Sequence, residues 1–160
     1  MANDVAEAWR ANARVNRELL DHLTEEMLGA QTPGGGYSVA QHLAHMTGVM
    51  KSWGSRLDEQ LAGLPDLYSD YDAQEDTFVA EKDLERIRGT MNETEGALLS
   101  AVQEKPDGEK GTLPHTSAGA LLIHLMVHDA HHRGQVLLAL KTSGYALPDE
   151  DRLWGPWRGE

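Results

Sequence analysis

The histidines of one predicted helix are the residues best suited to chemistry in this sequence. Residues 118–142 contain no proline and many good helix formers, so this run predicts a helix. Residues four apart lie on the same face of a helix, which places the imidazoles of His128 and His132 side by side, with His124 one turn before them. Neutral imidazole is the commonest side-chain ligand for metal ions in proteins. The spacing therefore predicts two ligands of a metal site, and another helix must supply the rest.

A second predicted helix offers the missing ligand. Ser38 and Gln41 have the spacing of a capping box, and apolar residues then recur at steps of three and four as far as Leu61. His42 and His45 lie in the first two turns of this helix. At about 100° per residue, His42 lies near the centre of the apolar stripe and His45 on its flank, where a neighbouring helix can still cover it. The periodicity favours His42 but leaves both histidines open as the third ligand.

Four long segments with helical periodicity organise the chain. They run from about Asp4 to Leu28, from the Ser38 cap to near Gly63, from about Val79 to Gln103, and from a Thr116 or Ser117 cap to Gly144. Residues 65–77 are rich in acids and tyrosines without an apolar period, and they predict a long connection with room for a short helical turn. Residues 106–108 predict a turn. We therefore predict an all-α four-helix bundle with one long crossover connection.

The length of the chain suits one domain and is too short for two. We expect residues 1–160 to form a single bundle domain with a C-terminal tail from about residue 145. Trp154 and Trp157 in this tail predict that it packs back on the body of the protein or on a partner. The fourth helix is apolar almost all round, so it is either the central helix or partly covered by another subunit.

Composition argues against several classes of function. The 160 residues carry a formal net charge of −12 and no cysteine. Such a charge repels phosphate backbones, so we expect no nucleic-acid partner. The lack of cysteine removes disulfides, thiolate metal sites and cysteine nucleophiles, and it fits the cytoplasmic location that we expect. No apolar run approaches the roughly 20 residues of a membrane span, and we expect no membrane partner.

Two stretches together resemble a known family. The sequence SVAQHLAHM at 38–46, followed by HDAHHRGQ at 128–135, is similar to the DinB-like family of damage-inducible proteins, and the resemblance covers nearly the whole chain. It implies a four-helix bundle that forms a homodimer. It also implies one divalent metal held by three histidines, one from the second helix and an HxxxH pair from the fourth. The family's second-helix ligand falls seven positions after the capping residue, so the resemblance selects His45, His128 and His132 as metal ligands.

The resemblance implies a chemistry as well as a site. Relatives include thiol-dependent transferases and isomerases, so we expect a metal-dependent hydrolase or an S-transferase that uses a low-molecular-weight thiol and a small-molecule substrate. Zinc or nickel is the expected metal, and iron, copper, cobalt and manganese are the other candidates. Relatives often carry an acid about one turn after the second-helix histidine, and residues 47–50 contain none, which weakens an enzyme assignment. The alternatives are a non-catalytic metal-binding stress-response bundle and a dimeric interaction module, and no catalytic residue is assigned.

The remaining polar residues near these motifs are expected to have ordinary structural roles. Asp129 and Arg133, four apart, predict a surface ion pair. The alternative for the three selected histidines is a polar core cluster without a metal, but burying unpartnered imidazoles costs several kcal/mol, which favours a cation. Four further histidines are expected to be packed or exposed side chains away from the cation: His22, His115, His124 and His131.

Overall fold

Helices dominate the structure, a computed structural model that describes residues 2–72, 74, 77–105 and 109–159. The elements in chain order are α1 (Ala2–His22), α2 (Val39–Gly54), β1 (Tyr68–Asp72), β2 (Thr77–Ala80), α3 (Leu84–Glu104), α4 (Ala118–Thr142) and α5 (Glu150–Arg158), with short 3-10 helices at Glu25–Gly29 and Glu59–Gly63. No helix among these residues is long and apolar enough to cross a bilayer. The predicted all-α helical bundle is confirmed.

The four long helices are packed in an order that differs from their order in the chain. Among the long helices, α1 packs against α3 and α4, and α2 packs against the same two helices. The consecutive helices α1 and α2 are therefore diagonal neighbours, and the chain crosses the bundle instead of running simply up and down. As a result α4 is covered by α1 on one side and by α2 on the other.

Local sequence sets the start of the two helices that carry the candidate ligands. The Ser38 hydroxyl accepts a hydrogen bond from the Gln41 N–H, and Gln41 Oε1 accepts one from the Ser38 N–H, which forms the predicted capping box. Ser117 caps α4 by accepting from the Ala120 N–H. Beyond the end of α4, Gly144 has a φ of 82°, a left-handed conformation that glycine adopts without strain.

Three helix boundaries differ from the prediction. Helix α1 ends at His22 and α2 at Gly54, and the remainder of each predicted segment contains a 3-10 helix. At Gly54 the chain folds back so closely that a β-carbon there would lie 2.5 Å from Leu61 Cδ2. Helix α3 begins later than predicted, because the Asp83 side chain caps it and residues 77–80 belong to a strand.

The long connection contains a β-hairpin that the sequence did not predict. Strands β1 and β2 pair in antiparallel fashion, with an irregularity between Tyr68 and Asp70. The acidic residues of this stretch mask the alternation of apolar and polar residues that would predict a strand. The strands are also stabilised by pairing with each other, which the pattern within one strand does not show. The Tyr68 hydroxyl donates to the Gln41 carbonyl at 3.2 Å, which ties the hairpin to the start of α2. The turn predicted at 106–108 lies outside the described residues.

Two apolar clusters fill the bundle, and a layer of polar side chains separates them along each long helix. The first cluster includes Leu19, Leu43, Met91 and Leu140. The second includes Trp9, Met50, Leu98 and Leu122. Buried polar residues occupy the positions between the clusters: Asn12, Asn16, Thr47, Thr94, Glu95, Asp129, His132 and Arg133. The candidate site belongs to this polar layer.

The C-terminal tail packs back on α1 as the short helix α5. Arg14 donates to the Pro156 carbonyl at 3.0 Å, and Arg152 forms an ion pair with Glu18 at 3.0 Å. Trp154 and Trp157 remain 59% and 43% exposed, so the tryptophans on which the prediction was based are not the main anchors of the tail.

Candidate metal centre

Three histidines from two helices converge at one point. His45 on α2 and His128 and His132 on α4 each offer one ring nitrogen, and these three atoms all lie within 4.8 Å of one another. Nε2 of His128 is 3.2 Å from Nε2 of His45 and 3.1 Å from Nε2 of His132. The structure therefore brings together the three residues that the family resemblance selected; we call them the histidine trio.

Two of the three nitrogen separations in the trio are close to those of ligands around a tetrahedral cation. Zinc–imidazole bonds of about 2.0–2.1 Å place tetrahedral ligands about 3.3 Å apart, close to the 3.1 and 3.2 Å separations in the trio. His132 is buried, whereas His45 and His128 are partly exposed. Solvent therefore reaches the trio from the side of His45 and His128, where a three-ligand site would keep its open position.

Burial lowers the pKa of two of the three imidazoles. Burial, followed by the neighbouring imidazoles of His128, His45, His42 and His131, lowers the pKa of His132 to about 3. Burial and then His128 lower the pKa of His45. Neutral rings keep a lone pair for a metal ion at neutral pH. A ring nitrogen either donates or accepts, so Nε2 of His128 cannot make full hydrogen bonds to both neighbours, and a cation would satisfy all three atoms.

His42 lies directly behind the trio. Its side chain is buried, as the apolar stripe predicted, and its Nδ1 is 2.9 Å from Nδ1 of His132. Burial, then His45 and His131, lower its pKa to about 4. His42 thus contacts the outer nitrogen of one candidate ligand and does not belong to the trio itself. Of the two ligands that the periodicity left open, the structure brings His45 to the converging nitrogens.

The other histidines lie apart from the point of convergence. His131 is exposed, and its ring meets that of His132 edge-on with centroids 5.1 Å apart. His124 is exposed, and its Nδ1 is 2.9 Å from Nε2 of His115, so these two form a separate pair. His22 contacts a backbone carbonyl of the C-terminal tail.

A second polar group lies on the side of α4 that faces α1 and α3; we call it the polar cluster (Asn12, Asn16, Glu95, Asp129 and Arg133). Arg133 Nη1 donates to Oδ1 of Asn12 at 2.8 Å and to Oδ1 of Asn16 at 2.6 Å. The amides of the same asparagines donate to Asp129 Oδ2 at 2.7 and 3.1 Å. Asn16 also donates to Glu95 Oε1 at 2.7 Å. Two amides therefore connect a buried cation to a buried anion.

The predicted surface ion pair was wrong. Asp129 and Arg133 are 0% and 9% exposed, because α4 is covered on both sides. The sequence does contain a signal for the polar cluster. Asn12 and Asn16 lie one turn apart on α1 within its apolar stripe, and buried amides need partners from another helix.

Asp129 connects the polar cluster to the trio. Its Oδ1 lies 4.0 Å from Nδ1 of His128. Both atoms are buried and have no hydrogen-bond partner in the described part of the chain. A carboxylate oxygen therefore stands close to the outer nitrogen of a candidate ligand.

Fold and site together define a class of protein, a crossed helical bundle with three histidines converging between two of its helices. The chain belongs to the DinB family, whose family model matches residues 1–159, and the resemblance is thereby confirmed. The crystal structure of a DinB-like protein from Bacillus cereus ATCC 10987 is similar, with a TM-score of 0.66 and 18% identity, over 91% of this chain and 94% of that one. At this identity the likeness shows a shared fold. No curated protein matches the chain.

Proposed function

We propose that this chain is a metal-binding protein in which His45, His128 and His132 hold one divalent cation. The convergence of their ring nitrogens within 4.8 Å carries the proposal. Neutral imidazoles suit zinc and nickel first, with iron, copper, cobalt and manganese as the other candidates, and the supply of metal in the cell decides among them. The exposed side of the site leaves room for a further ligand.

The reaction class that we propose is S-transfer from a low-molecular-weight thiol to a small molecule, with metal-dependent hydrolysis as the alternative. A divalent cation with three neutral ligands supplies a Lewis acid that lowers the pKa of a bound thiol or water. The chain's own residues hold the neutral rings together and admit substrate from the side of His45 and His128. Tyr37 stands beside this opening, 42% exposed, with its ring centroid 5.7 Å from that of His45. The proposed location is the cytoplasm, where small thiols are kept reduced.

Metal analysis of the full-length protein tests the site. We expect about one divalent cation per chain by plasma mass spectrometry. We expect His128→Ala to bind Zn²⁺ at least about a hundredfold more weakly, since each ligand of a zinc site contributes roughly 3 kcal/mol. His131→Ala, an exposed histidine on the same helix, is the matched control and should bind as the wild type does. A wild-type chain that binds none of Zn²⁺, Ni²⁺ and Co²⁺ would contradict the proposal, as would unchanged affinity in His128→Ala.

A non-catalytic metal-binding bundle is the second candidate, and it is favoured by the absence of an acid at 47–50. Removing a structural cation unfolds a protein, whereas removing a catalytic one leaves the fold intact. The two apolar clusters and the helix caps do not depend on the trio, so we expect the chelated protein to keep its circular dichroism spectrum. Unfolding on chelation would favour the non-catalytic role, and turnover of a small electrophile with a thiol would favour the enzyme.

We also propose a homodimer formed through one face of α4. Ile123, Val127 and Leu138 are 50%, 65% and 46% exposed and lie along one side of the helix, with the small residues Ala130 and Gly134 between them. An isologous contact would cover the same apolar face on both copies. Sedimentation velocity tests this pairing, and a wild-type monomer at micromolar concentration would contradict it.

A further inference from the structure

We propose that His42 is a positioning residue, which holds the His132 imidazole with its proton on Nδ1 and its Nε2 free for the cation. This inference rests on the proposed metal site. It concerns a residue outside the ligand set, and it assigns a function to the one histidine that lies behind the trio.

The contact between the two rings leaves two arrangements of protons. The two Nδ1 atoms are 2.9 Å apart, so one of them donates a proton to the other. If His42 donates, a neutral His132 must carry its own proton on Nε2, the atom that faces His128 at 3.1 Å, and it cannot bind a metal there. If His132 donates, its Nε2 lone pair points into the trio. Only the second arrangement allows His132 to serve as a ligand.

His42 is itself held firmly enough to act as a fixed acceptor. It lies in the first turn of α2, where its backbone N–H donates to the Ser38 carbonyl at 2.9 Å and the capping box sets the start of the helix. The Tyr37 ring meets its imidazole edge-on, with centroids 5.6 Å apart and planes at 68°. The side chain is 7% exposed, so water competes little for its Nδ1. His42 therefore restricts the rotation of the His132 ring as well as its tautomer.

A packing role alone would require only the volume of the ring. Phenylalanine has a similar flat shape and no acceptor, so His42→Phe should keep the fold but leave the buried Nδ1–H of His132 without a partner. Asparagine places an amide oxygen at the position of Nδ1, so His42→Asn should restore the acceptor. His131→Phe is the matched control, because His131 also contacts the His132 ring but makes no hydrogen bond to it among the described residues.

Chelator competition with Zn²⁺ and nitrogen-15 NMR of the metal-free, full-length protein test the proposal. We expect His42→Phe to bind Zn²⁺ about 10- to 100-fold more weakly, as for loss of the outer partner of a ligating histidine. His42→Asn should recover most of this loss, and His131→Phe should show none. In the metal-free wild type we expect His132 protonated at Nδ1, and in His42→Phe a mixture of tautomers.

These results distinguish a failure of this inference from a failure of the proposed metal site. Wild-type affinity in a folded His42→Phe protein overturns the positioning role and leaves the site intact. A wild-type spectrum with His132 protonated at Nε2 also overturns it, whether or not any variant folds. Absence of Zn²⁺ binding in the wild type refutes the proposed function, and the NMR spectrum of the metal-free protein then still decides how the two rings share their proton.

Discussion

The polar cluster and the histidine trio lie on the faces of α4 that meet α1 and α2, respectively, and differ in how their polar atoms are satisfied. In the polar cluster the chain supplies a cation, an anion and two amides that bond to both. In the trio, nitrogen atoms of one kind face each other at 3.1 and 3.2 Å and cannot all be satisfied by hydrogen bonds. The charged groups of the first region have partners within the protein, although Glu95 Oε2 and Asp129 Oδ1 have none among the described residues, whereas the converging nitrogens of the second need an added group. In this bundle a set of converging ring nitrogens therefore indicates function more than a buried charge does.

The two regions also differ in the formal charges of their side chains. Burial raises the pKa of Glu95 to about 8, against the hydrogen bond from Asn16, which lowers it. Glu95 is therefore protonated at neutral pH, and the charges of Arg133 and Asp129 balance each other. In the trio, burial lowers the pKa of His132 and His45, and none of the three residues is an acid that could balance a bound cation.

The largest effect on stability is expected from Arg133→Met, which removes the cation of the polar cluster. Asp129 would keep its buried charge without a positive partner, and Asn12 and Asn16 would each lose a donor. Breaking a buried charge pair by removing one partner costs about 3–5 kcal/mol. Urea unfolding of the metal-free protein measures this loss in the free energy of unfolding.

The matched control for this substitution is Arg10→Met, an exposed arginine on α1. It should change the free energy of unfolding by less than about 0.5 kcal/mol. Equal effects of the two substitutions would mean that the polar cluster does not hold α1 to α4, and the contrast between the two regions would disappear.

A smaller effect is expected from the titration of Glu95. Its pKa is raised from 4.5 to about 8 in the folded protein, so between these values the folded state binds a proton that the unfolded state has released. The stabilisation is complete below pH 4.5 and is lost as the pH rises through about 8. Glu95→Gln stays neutral in both states. Between pH 6 and pH 8.5, we expect the wild type to lose roughly 1–3 kcal/mol relative to this variant.

Urea unfolding of both proteins at both pH values, with chelator present, measures this difference and cancels the titration of other groups. Parallel pH dependence in the two proteins would show that Glu95 is ionised in the folded state. The polar cluster would then carry an excess negative charge, and its description as balanced would be wrong.

The sequence predicted the trio better than the polar cluster, but only in part from spacing, because the family resemblance selected His45 whereas the periodicity favoured His42. Four-residue spacing on one helix fixes the relative direction of His128 and His132, and histidine has few other reasons to occur at such positions. The polar cluster combines side chains from three helices. Asn12 lies within an apolar stripe, but neither it nor Arg133 indicates which partners it will meet until the packing order is known. Periodicity correctly predicted that the side chain of His42 is buried. It could not show which nitrogen atom of which ring His42 would meet, because that depends on how α2 and α4 approach each other.

The smallest effect on stability is expected from His45→Ala, which opens the trio. His45 is partly exposed and belongs to neither apolar cluster, so the metal-free variant should lie within about 1 kcal/mol of the wild type. Zn²⁺ at a hundred times its dissociation constant should stabilise the wild type by about 2.7 kcal/mol and should leave the variant unchanged. Thermal unfolding with and without Zn²⁺ gives both quantities. A site kept open for a ligand should contribute little to folding before the ligand binds. If metal-free His45→Ala lost as much stability as Arg133→Met, the trio would therefore be a structural part of the core, like the polar cluster.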